Sequence, residues 1–212
     1  MASALGEGSL SRVERKERTR RAILDTALDL SADTSLVAVS LRQVAKEVGI
    51  VPTAFYRHFA SIEALGLELV DESFVSLRAV LRDVRRPEPS LKQLIDASVD
   101  VLAEHVEARR AHFGFIARER VAGPPAVREA VRHQIELVER ELATDIARIP
   151  GTEAWSSDDL RVLSKLMVTS MVATAETLIL ASRPEVTTDI KDRARTQLRM
   201  VLVGAMNWKS QG

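Results

Sequence analysis

The chain has 212 residues, 46% hydrophobic and 28% charged, with 30 Lys or Arg against 30 Asp or Glu and no cysteine. Those proportions are ordinary for a soluble globular protein with a substantial core, in one large domain or two modest ones. Without cysteine, a disulfide framework, thiolate chemistry and cysteine-based metal sites are excluded.

Residues 1–11, MASALGEGSLS, lack the basic and apolar regions of a signal peptide and read as a disordered tail. Amphipathic spacing then predicts a first helix from about Arg12 to Ser31, with Ile23, Ala27, Leu28 and Leu30 inward. Ser40 caps a second helix, with Gln43 in capping-box position, and Gly49 ends it. Pro52 opens a third. Ser61 caps a long fourth helix running to Pro87, and Ser90 caps a fifth to about Glu107. A sixth covers roughly Arg110 to Val121. Pro124-Pro125 opens a seventh that stops before Pro150. Ser156 or Ser157 caps the eighth, to about Ser182, and Thr187 or Thr188 starts the ninth, to about Trp208. The expected fold class is all-α with nine helices and no internal repeat.

The eighth helix is apolar on two sides. Leu160, Leu163, Met167, Met171 and Leu178 form one; Val162, Leu166, Val172 and Ile179 form another. With Leu198, Val201, Leu202, Ala205 and Trp208 on the ninth, this fits either two central helices of a monomeric core or a seam with a second copy. The run LMVTSMVATAETLILA (166–181) holds Glu176 and four hydroxyls, so it predicts a buried helix rather than a membrane span. A soluble, cytoplasmic protein is expected.

The neutral total is unevenly distributed. Residues 12–60 carry nine Lys or Arg against six Asp or Glu, and RVERKERTRR (12–21) holds six of the nine. Within SLRQVAKEVGIVPTAFYRHFAS (40–61), Leu41, Val44, Ala45 and Val48 share one face, and Ala45 permits a close helix crossing. Phe55 and Phe59 face inward four residues apart, which leaves Thr53, Tyr56, Arg57 and His58 to project outward. Short polar groups flanked by cationic donors are what a helix in a major groove needs for base edges and phosphates.

This stretch resembles the N-terminal domain of the TetR family of bacterial repressors. The matching elements are RKERTRRAILDTAL, V-A-x-x-V-G-I and F-Y-R-H-F. The likeness extends through LGLELVDES, FIARER, TAETL and LRMVLVGAMNW to the fatty-acid-biosynthesis repressor type within that family. It implies a DNA-binding domain over 12–60 and a ligand-binding and dimerisation domain over 61–212. Operator contacts are carried onto Arg42, Pro52, Thr53, Ala54, Tyr56, Arg57 and His58. A homodimer on a palindromic double-stranded operator is implied, repressing genes of fatty-acid or lipid metabolism. So is a hydrophobic effector: a long-chain acyl-CoA, an acyl carrier protein thioester or a fatty acid. Control of an efflux or catabolic operon by another hydrophobic molecule is the alternative. Ile62 stands where most such readers carry Lys, which removes one expected phosphate contact.

In the body, AHFGFIARERVAGPP (111–125) sets Phe113 and Ile116 beside Arg118 and Arg120. One reading is an apolar slot completed by Met167 and Met171, with the arginines holding an anionic head group. The other is core packing, with Glu176 as the ion-pair partner of an arginine. No enzyme motif appears among the common hydrolase, zinc-protease and nucleotide-binding patterns. His58, His105, His112 and His133 lie on different predicted helices or turns. His105 and His112, seven apart, could share a face, a spacing that fits a solvated face more often than a metal site, so no metal, cofactor or catalytic residue is expected.

Overall fold

The computed structural model describes residues 11–85, 91–152 and 155–209; the Ser90 cap and all of the expected tail but Ser11, which caps α1, lie outside them. Among the described residues there are nine α-helices, one 3-10 turn and no strand. The helices are α1 (Arg12–Leu30), α2 (Leu41–Val48), α3 (Pro52–Phe55), α4 (Ile62–Arg85) and α5 (Leu91–Ala108), followed by α6 (Arg110–Ala122), α7 (Pro125–Ile146), α8 (Ser157–Leu180) and α9 (Pro184–Met206). The 3-10 turn, Leu36–Ala38, lies in a segment expected to be plain loop.

Local chemistry explains most helix starts. Ser11 and Glu14 form a capping box on α1, and Ser40 and Gln43 form the expected one on α2. Ser61 accepts from the Ala64 amide, and Ser156 from that of Asp159. Two expectations needed correction. Helix α9 begins at Pro184 rather than at Thr187 or Thr188, because Pro in the first turn lacks only an amide that would have had no partner there. Helix α8 is not buried all round: Leu163, Met167 and Leu178 are inside, while Val162 and Leu166 face solvent.

Helix α1 packs on α2, and α2 on α3; the body is α4 to α9, with α8 against α5, α6, α7 and α9. One core runs from Ile23, Leu24 and Leu28 of α1 through Leu36, Phe55 and Phe59 to Leu65 and Leu69 of α4, then on to Phe115 of α6 and Val127 and Val131 of α7. A second joins Ile95 and Val99 to Leu163, Met167 and Leu198. Along the α5–α9 contact, Asp100 pairs with Lys191 and Arg195 at 2.5 and 2.6 Å, and Asp96 with Arg199 at 2.5 Å. These pairs are partly exposed, so they set register more than they add stability.

A polar joint between the first three helices and the body comes from α6. Glu119 is completely buried. Its Oε1 accepts from the Leu36 amide at 2.9 Å, and the Ser35 hydroxyl lies 3.1 Å from its Oε2. A side chain from the body thus caps the 3-10 turn. Beside it, the Arg118 guanidinium donates to the carbonyls of Ser31 and Ala32, just past the end of α1. These are carbonyls at a helix C-terminus, where a cation is favoured. Gly123 completes the joint by its smallness: a Cβ there would lie 2.6 Å from both the Glu119 backbone oxygen and its carboxylate.

Glu119→Ala is expected to destabilise the chain by about 2–3 kcal/mol, since it strands the buried Leu36 amide and takes an acceptor from the Ser35 hydroxyl. Glu119→Gln keeps an acceptor for Leu36 and should lose less. Urea titration followed by circular dichroism reads both; an Ala variant within experimental error of the parent would refute the role given to this carboxylate.

Candidate functional site

The exposed end of the α2–α3 unit is built by a tight turn. The Ile50 amide donates to the Ala45 carbonyl at 2.9 Å and the Gly49 amide to the Lys46 carbonyl at 3.1 Å. Gly49 takes the left-handed conformation, φ 75°, which side chains other than Asn and Asp rarely adopt. Ala45 is buried at the crossing. Helix α3 is a single turn, extended by the Arg57 amide on the Ala54 carbonyl (3.2 Å) and the His58 amide on the Phe55 carbonyl (2.8 Å). Phe55 and Phe59 anchor it from below, ring centroids 5.9 Å apart.

Arg42, Pro52, Thr53, Tyr56 and Arg57 all lie exposed on this end, while Ala54 is half-buried. His58 departs from its expected outward position. It is half-buried toward α1, its Nδ1 is buried without a partner, and its carbonyl accepts from Arg20 at 3.4 Å. Burial, then Lys16 and Arg20, holds its imidazole below the usual range, which disfavours its charged form.

The basic lead-in also divides. Arg12, Arg15, Lys16 and Arg18 are exposed. Arg20 instead pairs with Glu68 at 2.5 Å and lies 4.5 Å from the Phe59 ring centre; Arg21 pairs with Glu72 at 2.9 Å and Asp25 at 2.6 Å. These two cations hold α1 to α4. Ile62, at the expected Lys position, packs partly buried against the same core. The apolar side chain therefore extends the core where a cation would have reached outward.

The body contains an apolar cavity of about 150 Å³. Phe113, Ile116, Met167 and Met171 line it as expected, with Arg120 and Glu176 in its wall. Arg120 and Glu176 form an ion pair, each a little over a third exposed. Arg118 does not reach the cavity: it points to the opposite side of α6, onto the end of α1. Helices α5 and α9 also contribute walls, through Leu94, Leu102 and Leu198, which the sequence reading did not include. Arg110 closes the end of α8, donating to the carbonyls of Ile179 and Ala181 at 2.6 and 3.0 Å. His105 contacts Ser76 at 3.3 Å and stacks edge-on to Phe113.

On the outside of α8 and α9 lies an apolar strip. Val162 and Leu166 are 68% and 51% exposed, Met200 and Val203 70% and 64%, with Trp208 at its end. Leu202 and Ala205, anticipated as seam positions, instead lean onto the chain's own core. The strip lies on another side of α9: Val203 follows Leu202 by one residue, a rotation of about 100°, and Met200 precedes it by two.

Residues 23–69 match the model described as bacterial regulatory proteins, tetR family, and residues 91–204 match the tetracyclin repressor-like C-terminal domain. Solved structures share the fold. A transcriptional regulator from Rhodococcus sp. Rha1 has TM-score 0.69 and 19% identity, covering 87% of this chain and 96% of its own. A putative transcriptional regulator from Pseudomonas aeruginosa PAO1 has TM-score 0.73 and 14% identity, covering 92% and 95%. The fatty acid degradation regulator FadR from Bacillus halodurans has TM-score 0.67 and 11% identity, covering 94% and 97%. With both family regions matched in order, a one-turn reader helix at one end and an apolar cavity in the body, the chain belongs to the TetR family of bacterial transcriptional regulators.

Proposed function

We propose that this regulator is a cytoplasmic homodimeric repressor of fatty-acid or lipid metabolism genes. Residues 12–60 bind a palindromic operator, and residues 61–212 bind a long-chain acyl thioester or fatty acid. The observation that carries the reading is the apolar cavity whose wall includes α6, the helix that also grips the reader through Arg118 and Glu119. A ligand alters operator affinity only by binding the DNA-competent and incompetent states unequally. A molecule pressing on Phe113, Ile116 or Arg120 acts on the same helix that sets the reader's position. The sequence likeness to the fatty-acid-biosynthesis repressor type supports an acyl ligand. The fold shared with FadR supports the architecture alone.

In the reader, Arg42, Pro52, Thr53, Ala54, Tyr56 and Arg57 form the operator surface. His58 contributes as a half-buried flank. Arg12, Arg15, Lys16 and Arg18 provide phosphate contacts, and Arg20 and Arg21 do not.

Tyr56→Ala and Arg57→Ala should each weaken operator binding by roughly 1–3 kcal/mol with unchanged helicity. Fluorescence anisotropy on the chain's own upstream DNA measures this, and full affinity in both variants would remove the reader assignment.

The apolar strip is the proposed dimer seam, since a two-fold copy covers both members of each pair at once. Leu166→Glu or Val203→Glu should give monomers that lose specific operator binding, because a palindrome needs two readers about one helical turn apart. Sedimentation velocity decides it: a parent chain that is monomeric at micromolar concentration leaves no seam to disrupt.

Burial of each CH₂ contributes about 0.8 kcal/mol, so an acyl effector should act at lower concentration as its chain lengthens, until the cavity is filled. Titrating C8 to C18 acyl-CoAs and free acids against a labelled operator should give midpoints that fall with length. Equal midpoints across the series would count against an acyl ligand and leave DNA binding untouched.

A further inference from the structure

Val51 stands between α2 and α3, and packing and capping make little use of its side chain. Its neighbour Ile50 leans onto the first core, while Val51 is 64% exposed. The residue occupies the N-cap position of α3, where Ser, Thr, Asp or Asn would cap the first turn, and it makes no side-chain cap bond. Its part in the turn is played by the main chain: the Val51 carbonyl accepts from the Ala54 amide at 2.8 Å. A single exposed apolar residue needs no explanation on most surfaces. This one opens the helix whose exposed residues, Pro52, Thr53, Tyr56 and Arg57, belong to the operator surface proposed above.

The side chain is also held in direction. A residue before proline is confined to extended backbone, and Val51 has φ −72° and ψ 147°. Branching at Cβ restricts its χ1, so the two methyl groups lose little freedom when they meet a surface. For the first turn of a reader helix that surface is the floor of a major groove. One apolar group projects from the floor, the C5-methyl of thymine; the other distinguishing groups are hydrogen-bond donors and acceptors, which a valine can only leave unpaired.

We propose that Val51 is a specificity-determining residue of the reader and selects thymine by packing against its C5-methyl group. This rests on the assignment of residues 12–60 to operator binding and adds to it a base preference at one position of each half-site. Tyr56 and Arg57 supply polar contacts, whereas Val51 discriminates by apolar contact alone. It favours thymine over cytosine, which lacks the methyl group, and over purine edges whose polar atoms it would dehydrate.

The experiment selects duplexes from a random pool with the full chain to obtain the half-site. Each thymine in that half-site is then replaced in turn by deoxyuridine, which removes the methyl group and keeps the base pair. Fluorescence anisotropy compares the parent with Val51→Ala, an exposed position whose substitution should leave helicity unchanged by circular dichroism. Losing the burial of one methyl group corresponds to about a fourfold loss of affinity, and one thymine per half-site should show it in the parent. In Val51→Ala the same replacement should change affinity by less than about twofold, because the methyl group has lost its partner. If Val51 only shapes the turn, or if Pro52 meets the methyl group instead, the variant keeps the parent's ratio between the two duplexes, and the proposal is overturned. A half-site without thymine, or one in which no replacement costs the parent more than about twofold, overturns it as well and leaves the reader assignment standing. Failure to enrich any duplex removes the reader assignment and this proposal together.

Discussion

The buried carboxylate of Glu119 is the constraint on which the arrangement of the two halves depends. A fully buried acidic side chain needs hydrogen-bond donors, and here they come from Leu36 and Ser35, in a turn more than 80 residues earlier. The demand runs both ways, because the buried Leu36 amide has no helical carbonyl to bond. Arg118, its neighbour, faces the end of α1. Arg120, the next residue, faces the cavity with Glu176. Three consecutive charged residues therefore point to the helix end, the turn and the apolar cavity. Their divergence follows from the roughly 100° step between successive helix positions.

The charge balance of the chain can be understood in the same way. Zero net charge does not mean a neutral reader, nor does a basic stretch mean that every cation is available to DNA. Arg20 and Arg21 belong to the α1–α4 contact, where Glu68 and Glu72 are one turn apart to receive them. Arg12, Arg15, Lys16 and Arg18 face outward one or two turns earlier on the same helix. Within ten residues the sequence changes from solvated surface to inter-helix joint.

What the sequence disclosed was governed by short range. The caps at Ser40 and Ser61, the left-handed Gly49, Pro52 at a helix start, and Phe55 with Phe59 as anchors all rest on neighbours within four residues. The all-α architecture follows from the same spacing. What it concealed depends on distant partners. Glu119 looks like one charge in a solvated run, and nothing local reveals its bond to Leu36. Arg118 and Arg120 look equivalent until the helix is placed, after which one joins α1 and the other the cavity. His58 shares the outward register of Arg57, yet the packing of α1 turns it in. The exposed side of α8 was equally hidden, since periodicity marks an apolar face without saying whether the same chain covers it.

The continuity of the first core bears on how such a protein can be recombined. Leu28, Leu36 and Phe59 do not close over one another; Leu65 and Leu69, then Phe115, Val127 and Val131, complete their packing. A fragment cut after residue 60 would bare that surface and lose the carboxylate cap on its turn. A chimera that transplants this reader onto another body would therefore inherit a mismatched floor unless α4 and the facing turns of α6 and α7 travel with it. The first three helices and the body are distinct as sequence regions, but in this chain they are not separable as cloth cut along a seam.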